Sequence, residues 1–230
     1  MRTSSGAAMT RAESAYFNLR NDILHGRLIP GQPLRLEFLK TQYGLSFSPL
    51  REALNRLHAE RLVVNDPPRG FTVAPVSPAE MHDVMGVRIL IESEALRLSV
   101  EKGGDDWETE LVAAFHKLDL QSRRIRAAEH AADDEALMQF ETRHHEFHRA
   151  LLTACGSPRL LALFEQLYAE TQRYRLPIFR GEGPTAPGRD LSAEHSQIME
   201  AALARQADTA VRLLQVHYRR TAEDIAGSAA

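Results

Sequence analysis

The sequence predicts a mainly α-helical protein, in which three short helices and a small β-hairpin precede an antiparallel all-α bundle of six or seven helices. Apolar residues recur every three to four positions along most of the chain, as in amphipathic helices. Only residues 62–74 show β-branched runs around a proline-rich turn. The charge changes near the same point: residues 1–76 contain ten Lys and Arg against six Asp and Glu, and residues 77–230 contain eighteen against twenty-five. Two domains are therefore expected, over residues 10–76 and 77–230.

The length and composition are those of a globular protein that can bury a real core. The chain has 230 residues, of which 43% are hydrophobic and 26% charged. No apolar run approaches the roughly 18 residues that span a bilayer, so no membrane partner is expected. Residues 1–9 lack an apolar segment and are predicted to be a disordered tail rather than a signal peptide. The single cysteine, Cys155, fits a reducing, cytoplasmic location and is interpreted as a half-buried structural thiol.

The N-terminal domain has three helical patterns and a hairpin pattern. The predicted helices span residues 9–25, 34–43 and about 46–61, and the predicted strands span residues 62–64 and 70–74. Gly26 and Gly44 are in place to end the first two helices, and Ser46 or Ser48 can cap the third. Three helices and a hairpin, with a short turn between the second and third helix, describe a winged helix-turn-helix. The excess of positive charge indicates a polyanionic partner.

The C-terminal domain shows helical spacing throughout and no strand pattern, which predicts an antiparallel helical bundle. The predicted helices span residues 77–102, 105 to beyond 118, 132–154, 157–175, 190–205 and 208–225. The candidate N-caps are Asp105 or Asp106, Asp190 or Ser192, and Asp208. Residues 177–189 are rich in Gly and Pro and are predicted to form a loop.

Four histidines of the bundle are candidate metal ligands. His144 and His148 are four residues apart on one predicted helix, so both rings project from the same face. His195 and His217 lie about 15 Å and about 14 Å from the turn that joins their helices, so they stand at one height in an antiparallel pair. Four imidazoles at one point suit Zn²⁺ or a similar divalent ion. The alternative is four separate core or surface histidines.

Two sets of motifs carry a family resemblance. The first set is Ile23-Leu-His-Gly26-Arg-Leu-Ile-Pro30-Gly31, Leu34 and Gly44-Leu-Ser46-Phe-Ser48-Pro49-Leu-Arg51-Glu52-Ala53-Leu54. It resembles the DNA-binding domain of GntR-family transcription regulators. The second set is Phe147-His148-Arg-Ala-Leu151, Ala154-Cys-Gly156-Ser157-Pro-Arg-Leu160, Glu194-His195, Asp208 and His217. It resembles the FadR-type C-terminal effector domain, called FCD.

The first resemblance implies contacts with double-stranded operator DNA. The candidate contact residues are Lys40, Ser46, Phe47, Ser48, Arg51, Arg69 and Gly70. Ser46 and Ser48 would meet phosphates at the start of the third helix, and Arg51 a phosphate or a guanine edge. Arg69, at the hairpin tip, would approach the minor groove, and Gly70 would allow a close backbone approach. Each of these residues has an alternative interpretation as a solvated surface residue.

Phe47 departs from the family pattern, which commonly has Arg at this position. An arginine there can read guanine with two hydrogen bonds, whereas a phenylalanine can only pack, for instance on a thymine methyl. The alternative is that Phe47 turns inward. The family pattern therefore does not predict the base preference of this chain, although DNA binding itself is still expected.

The second resemblance implies a metal held by one Asp and three His. His148, His195 and His217 match the three histidines, and His144 stands at the Asp position. A set of four nitrogens favours Zn²⁺, Ni²⁺ or Cu²⁺ over harder cations, with Zn²⁺ expected first and Ni²⁺ second. The alternative is a weakened site in which His144 is not a ligand.

The same resemblance implies a small organic-acid effector near the metal. Arg88 or Arg173 would bind its carboxylate, and Arg175 is a further candidate. For Arg88 the alternative is an ion pair with Glu92, one helical turn away.

Two functions fit these patterns. The first is a homodimeric transcription regulator, a repressor, that binds a pseudo-palindromic operator and responds to a carboxylate at the metal. The alternative is a histidine-metal hydrolytic enzyme with an appended DNA-binding domain, because a metal with open positions can activate water. The enzyme is disfavoured because His145-Glu146-Phe147-His148 is not a His-Glu-x-x-His motif and no general base adjoins it.

Overall fold

A computed structural model describes residues 9–127, 133–181 and 189–228 of the chain. The predicted fold class is confirmed, because the described residues form nine α-helices and one two-stranded antiparallel hairpin. The chain divides into two compact units, Met1–Val76 and Ser77–Ala230. The predicted tail over residues 1–9 lies outside the described residues except for Met9. Within the described ranges, no helix has the length and apolar character that a membrane span needs.

The first unit consists of three helices and a hairpin. Their bounds are α1 (Arg11–Leu24), α2 (Leu36–Tyr43), α3 (Phe47–Ala59), β1 (Val63–Asp66) and β2 (Gly70–Val73). The Thr10 hydroxyl accepts from the Glu13 N–H and the Glu13 carboxylate accepts from the Thr10 N–H, so a capping box begins α1. Gly44 takes the left-handed conformation, at φ 65°, that ends α2.

The core of this unit lies between α1 and α3. Both helices present leucines at helical spacing, and Leu19, Leu50, Leu54 and Leu57 are fully buried. The hairpin pairs Val63 with Val73, and both side chains are buried. The third helix is thereby held with its N-terminal turn exposed.

The second unit is a helical bundle. Its elements are α4 (Pro78–Lys102), α5 (Asp105–Ala127), α6 (Asp134–Leu152), a short 3-10 turn (Thr153–Cys155), α7 (Pro158–Gly181), α8 (Leu191–Leu203) and α9 (Ala207–Ser228). The helix α4 packs against both α7 and α9. Its buried face is not wholly apolar, because it carries Arg88, Glu92 and Ser99. The interior of the bundle therefore contains polar groups that need partners.

Two local features set the positions of the other helices. The indole N–H of Trp107 donates to the Ala150 carbonyl at 2.8 Å and joins α5 to α6. The Asp190 carboxylate accepts from the Ala193 N–H, so it caps α8 as predicted.

Cys155 is completely buried rather than half-buried, because the 3-10 turn folds it into the core.

Three expectations on helix ends were wrong. The loop predicted over residues 177–189 does not begin at Pro177, because α7 continues through Pro177 to Gly181. A proline in a helix interior costs about 3 kcal/mol, whereas burial of Phe164 and Leu167 on the same helix contributes about 1.5–3 kcal/mol each. Residues 182–188 of that loop lie outside the described residues. Asp105 and Asp208 lie in the first turns of α5 and α9 rather than before them. Their negative charges still interact favourably with the positive ends of the helix dipoles.

Candidate functional site

Four buried histidines meet inside the bundle. His144 and His148 come from α6, His195 from α8 and His217 from α9. One ring nitrogen of each lies within 4.8 Å of the corresponding nitrogens of the others. The Nε2 atoms of His144 and His148 are 3.1 Å apart. The structure thus brings together the four residues that helical spacing pointed to.

The outer ring nitrogens of three of these histidines contact protein groups. Nδ1 of His144 lies 2.7 Å from the Tyr168 hydroxyl, and Nδ1 of His148 lies 3.0 Å from the Tyr218 hydroxyl. Nδ1 of His217 lies 2.8 Å from a carboxylate oxygen of Glu194. With Nδ1 occupied, the Nε2 atom of each ring is left for the centre of the cluster. Such outer partners orient histidine ligands around metals.

His195 supplies the clearest indication that the cluster suits an ion. Its side chain is 1% exposed, and its Nε2 atom has no hydrogen-bond partner among the described residues. A buried polar atom without a partner costs about 1–3 kcal/mol. An ion at the centre of the cluster would remove that cost.

Burial keeps the four rings neutral. Burial lowers the pKa of His144, His148 and His195 well below the ordinary histidine value, and nearby arginines lower it further: Arg175 at His144, Arg88 at His148 and Arg189 at His195. Burial also lowers the pKa of His217, although hydrogen bonding to Glu194 opposes this change. Neutral imidazole is the form that binds a metal. The donor set therefore fits one ion, whose bonds to imidazole nitrogen are roughly 2.0–2.1 Å.

Arg88 forms the ion pair that was the alternative to an effector contact. Its guanidinium donates from Nε to a Glu92 carboxylate oxygen at 2.6 Å, and both side chains are 1% exposed. It also donates to the Thr171 hydroxyl at 2.8 Å and to the Tyr218 hydroxyl at 3.1 Å. Burial alone would lower the pKa of Arg88, but the charge of Glu92 raises it overall. An effector carboxylate would have to exchange with Glu92 to reach this guanidinium.

The other two arginine candidates differ in their surroundings. Arg175 is buried and binds the Glu141 carboxylate at 3.0 Å, and Glu141 lies 3.3 Å from the Tyr168 hydroxyl. Arg173 is also buried, with its guanidinium carbon 5.7 Å from the centre of the Tyr174 ring. Burial lowers the pKa of Arg173. Arg175 is thus linked through its partners to the histidine cluster.

His145 lies outside the cluster. Its Nε2 atom is 2.7 Å from a Glu165 carboxylate oxygen, and its side chain is 30% exposed. This agrees with its position about 100° away from His144 around α6. His145 is therefore a natural control for the four buried rings.

Sequence reasoning missed the residues that support the cluster. These residues are Glu141, Tyr168, Glu194 and Tyr218. One signal was available for Glu141, because residues 141, 144 and 148 share one helical face. Tyr168 looked like an ordinary core residue, and Glu194 contacts His217 rather than its neighbour in sequence. Only the packing of different helices reveals these contacts.

The candidate DNA contacts of the first unit are mostly exposed. The exposed residues are Lys40, Ser46, Phe47, Ser48, Arg51 and Arg69. Ser46 precedes α3 and its side chain makes no capping hydrogen bond. Gly70 is half-buried and takes φ 80°, a conformation that favours glycine. These positions leave the N-terminal turn of α3 and the hairpin tip accessible.

Phe47 does not turn inward. Its side chain is 38% exposed, and the ammonium of Lys40 lies 5.0 Å from the centre of its ring. A cation over an aromatic face is attracted by the ring. The pair combines an apolar surface and a positive charge at the start of α3.

Comparison with known proteins gives a family match for each unit. Residues 83–220 match the FCD domain, and residues 11–73 match bacterial regulatory proteins of the gntR family. The chain is 37% identical over 207 residues to BphR of Paraburkholderia xenovorans (strain LB400), described as an uncharacterized HTH-type transcriptional regulator. That match covers 89% of this chain and 81% of BphR. The chain is also 34% identical over 200 residues to the HTH-type transcriptional repressor GlaR of Escherichia coli (strain K12). That match covers 86% of this chain and 88% of GlaR.

Solved structures show the same fold. The chain is similar to E. coli McbR/YncC, with a TM-score of 0.79 at 22% identity, over 97% of this chain and 100% of that one. It is also similar to a putative transcriptional regulator GntR from Rhodococcus sp. RHA1, with a TM-score of 0.74 at 20% identity, over 94% of this chain and 98% of that one.

Proposed function

Because the chain belongs to the GntR family of bacterial transcription regulators and carries an FCD domain, we propose that it is a homodimeric repressor that senses a small carboxylate at a histidine-bound metal. The matched domains and relatives make it a DNA-binding transcription regulator and not an enzyme. The repressor assignment rests on similarity to GlaR, which is a transcriptional repressor. The protein would act on its operator in the cytoplasm.

Recognition of a pseudo-palindromic operator is assigned to the start of α3 in two copies of the chain. The exposed Ser46 and Ser48 hydroxyls, together with the helix N-terminus, suit phosphate oxygens. Arg51 is exposed one turn further along and suits a phosphate or a guanine edge. Two-fold symmetry in the protein matches two half-sites in the DNA. Arg69 and Gly70 at the hairpin tip would add the minor-groove contact.

The sensor part of the proposal depends on a single observation, the meeting of four buried imidazoles, one of which has an Nε2 atom without a hydrogen-bond partner in the described part of the chain. His144, His148, His195 and His217 would hold the ion, with Zn²⁺ preferred over Ni²⁺ as the natural cofactor. When bound, the ion supplies a positive charge that attracts a carboxylate oxygen. Since four neutral rings bring no negative charge of their own, an anionic ligand would be favoured.

The effector is proposed to bind between this centre and an arginine. Arg88 and Arg173 are the assigned contacts, and Arg88 would release Glu92 as the effector carboxylate arrives. A ligand can change the affinity for DNA only if it binds one arrangement of the dimer better than another. We propose that the effector prefers the arrangement that fits the operator less well and thereby releases the DNA.

A gel-shift experiment tests this function. The full chain is loaded with Zn²⁺ and titrated onto DNA from upstream of its own gene, with and without each of a panel of small organic acids. We expect specific binding that one class of acid weakens. A scrambled DNA of equal length and composition is the control. Equal binding to both DNAs, at several salt concentrations and with every acid, would contradict the proposal.

A further inference from the structure

The hydroxyl of Tyr218 has three polar neighbours, and their chemistry decides where its hydrogen points. The hydroxyl donates to the Glu92 carboxylate, receives a hydrogen bond from Arg88 Nη2 at 3.1 Å and lies 3.0 Å from His148 Nδ1. A tyrosine hydroxyl has one hydrogen and two lone pairs, a carboxylate only accepts and a guanidinium only donates. The single hydrogen of the Tyr218 hydroxyl therefore points to Glu92. Both lone pairs accept, so His148 must carry its hydrogen on Nδ1.

Tyr168 has a similar position beside His144, but its hydroxyl hydrogen has two possible acceptors. Its hydroxyl lies 2.7 Å from His144 Nδ1 and 3.3 Å from a Glu141 carboxylate oxygen. Its single hydrogen can go to either neighbour, because an unprotonated Nδ1 and a carboxylate both accept. Both tyrosines are at most 3% exposed, so water does not replace either contact.

The short distance between His144 and His148 decides which ring nitrogen of His144 carries its hydrogen. With its hydrogen on Nδ1, His148 turns an unprotonated Nε2 toward His144 Nε2, 3.1 Å away. Two unprotonated nitrogens at that distance repel each other. Without an ion, His144 therefore carries its hydrogen on Nε2 and accepts from Tyr168 at Nδ1. When both Nε2 atoms bind an ion, the hydrogen of His144 must be on Nδ1, and the Tyr168 hydrogen must turn to Glu141.

We propose that Tyr218 and Tyr168 are positioning residues of the centre, in which Tyr218 fixes the tautomer of His148 and Tyr168 allows His144 to change tautomer when an ion binds. His144 and Tyr168 are neutral before and after the change, and no proton is gained or lost overall. The inference rests on the proposed metal centre. It also assigns different roles to two histidines that helical spacing alone makes equivalent.

Nitrogen NMR of the full chain with labelled histidine tests this assignment without any variant. The nitrogen shifts report which ring atom carries the hydrogen. We expect His148 to carry it on Nδ1 with and without Zn²⁺. His144 should change from Nε2 to Nδ1 when Zn²⁺ is added. A His144 tautomer that is the same in both samples would overturn the inference, even if Zn²⁺ binds.

Three tyrosine variants supply a second test. Tyr218→Phe and Tyr168→Phe each remove one hydroxyl, and loss of such an outer contact should weaken Zn²⁺ binding by about 10–100-fold in competition with a chelator. Tyr218→Phe should also leave His148 as a mixture of tautomers. Tyr174→Phe is the matched control, because it removes a hydroxyl from the same helix as Tyr168, one that donates to Glu80 at 3.2 Å. It should bind Zn²⁺ as the unchanged chain does.

The outcomes separate the two proposals. If Tyr168→Phe and Tyr218→Phe bind Zn²⁺ as tightly as the unchanged chain, the positioning roles are wrong and the metal centre stands. If the unchanged chain binds no Zn²⁺, the metal centre is wrong. If Tyr218→Phe does not fold, the tautomers of the unchanged chain still decide the matter.

Discussion

His144 changes the charge of the centre, because a histidine stands where the family resemblance expects an aspartate. Four neutral rings leave a divalent ion without a negative ligand from the cluster. Three carboxylates nearby are each paired with an arginine, as Arg88–Glu92, Arg175–Glu141 and Arg189–Glu194, and the first two pairs are buried. Hydrogen bonds from His217 and Arg189 outweigh burial and lower the pKa of Glu194, so this carboxylate stays charged. None of these charges is free to replace the missing aspartate.

Replacing the ring by a carboxylate should change the choice of metal. His144→Asp is expected to raise the affinity for Mn²⁺ relative to Zn²⁺, because carboxylate oxygen suits harder ions than imidazole nitrogen does. A change on the order of tenfold corresponds to about 1.4 kcal/mol. Competition titrations with the two ions measure it. His145→Asp, on the exposed side of α6, should leave the ratio unchanged, and an equal change in both variants would contradict the role of His144.

Residues of the site differ in how far sequence could predict them. The four histidines could be found because they follow helical spacing, and two of them sit at equal height in a helical hairpin. Tyr168, Tyr218 and Glu194 could not, because their hydrogen bonds cross between helices whose relative rotation no periodicity defines. For the same reason, sequence left open whether Arg88 binds Glu92 or an effector.

The element to which the proposed function gives the most direct role is α3. Arg51→Ala should weaken operator binding by about 1–3 kcal/mol if the side chain reads a guanine. If it binds only a phosphate, the loss should be similar for all sequences and the salt dependence should fall. Arg212→Ala is the control, because Arg212 is also exposed but lies on α9. Unchanged operator affinity in Arg51→Ala would mean that α3 does not enter the groove as proposed.

The contact between α1 and the end of α3 predicts a dependence of stability on alkaline pH. The Tyr16 hydroxyl donates to a Glu60 carboxylate oxygen at 2.6 Å. Burial, followed by this hydrogen bond, raises the pKa of Tyr16 to about 12. A raised pKa means that the stabilisation is complete below the unfolded value of about 10 and is lost as the pH rises toward 12.

The comparison with Tyr16→Phe isolates this contribution. The variant should be less stable below pH 10, by about 0.5–1.5 kcal/mol for one hydrogen bond. The difference from the unchanged chain should shrink between pH 10 and 12. Denaturant unfolding at a series of pH values measures it. A difference that stays constant over this range would show that the hydroxyl does not titrate as expected.

The elements were predictable to the extent that a local signal defined them. Amphipathic spacing located the nine helices of the described residues, and Gly44 and Asp190 marked boundaries that the structure has. The helix end predicted before Pro177 was wrong, because the packing of the earlier turns of α7 outweighs the cost of a proline in the helix. Boundaries depend on tertiary contacts in this way wherever propensity and packing disagree.

At the scale of the whole molecule, one chain combines a DNA-binding unit with a bundle that contains a candidate metal centre. The family models match these two parts separately, over residues 11–73 and 83–220. The opposite charge balances of the two parts are consistent with this division, because a DNA-binding part meets a polyanion. The histidine centre is what would make the response of the regulator depend on a metal and a small acid.

Metal analysis of the full chain, purified without an affinity tag, tests this central claim most directly. The unchanged chain and His145→Ala should each contain close to one divalent ion per chain. His148→Ala should contain almost none, and its thermal stability should no longer rise when Zn²⁺ is added, because a bound ligand stabilises the folded state by mass action. A metal content near zero in the unchanged chain, even after incubation with Zn²⁺ and removal of the excess, would contradict the account.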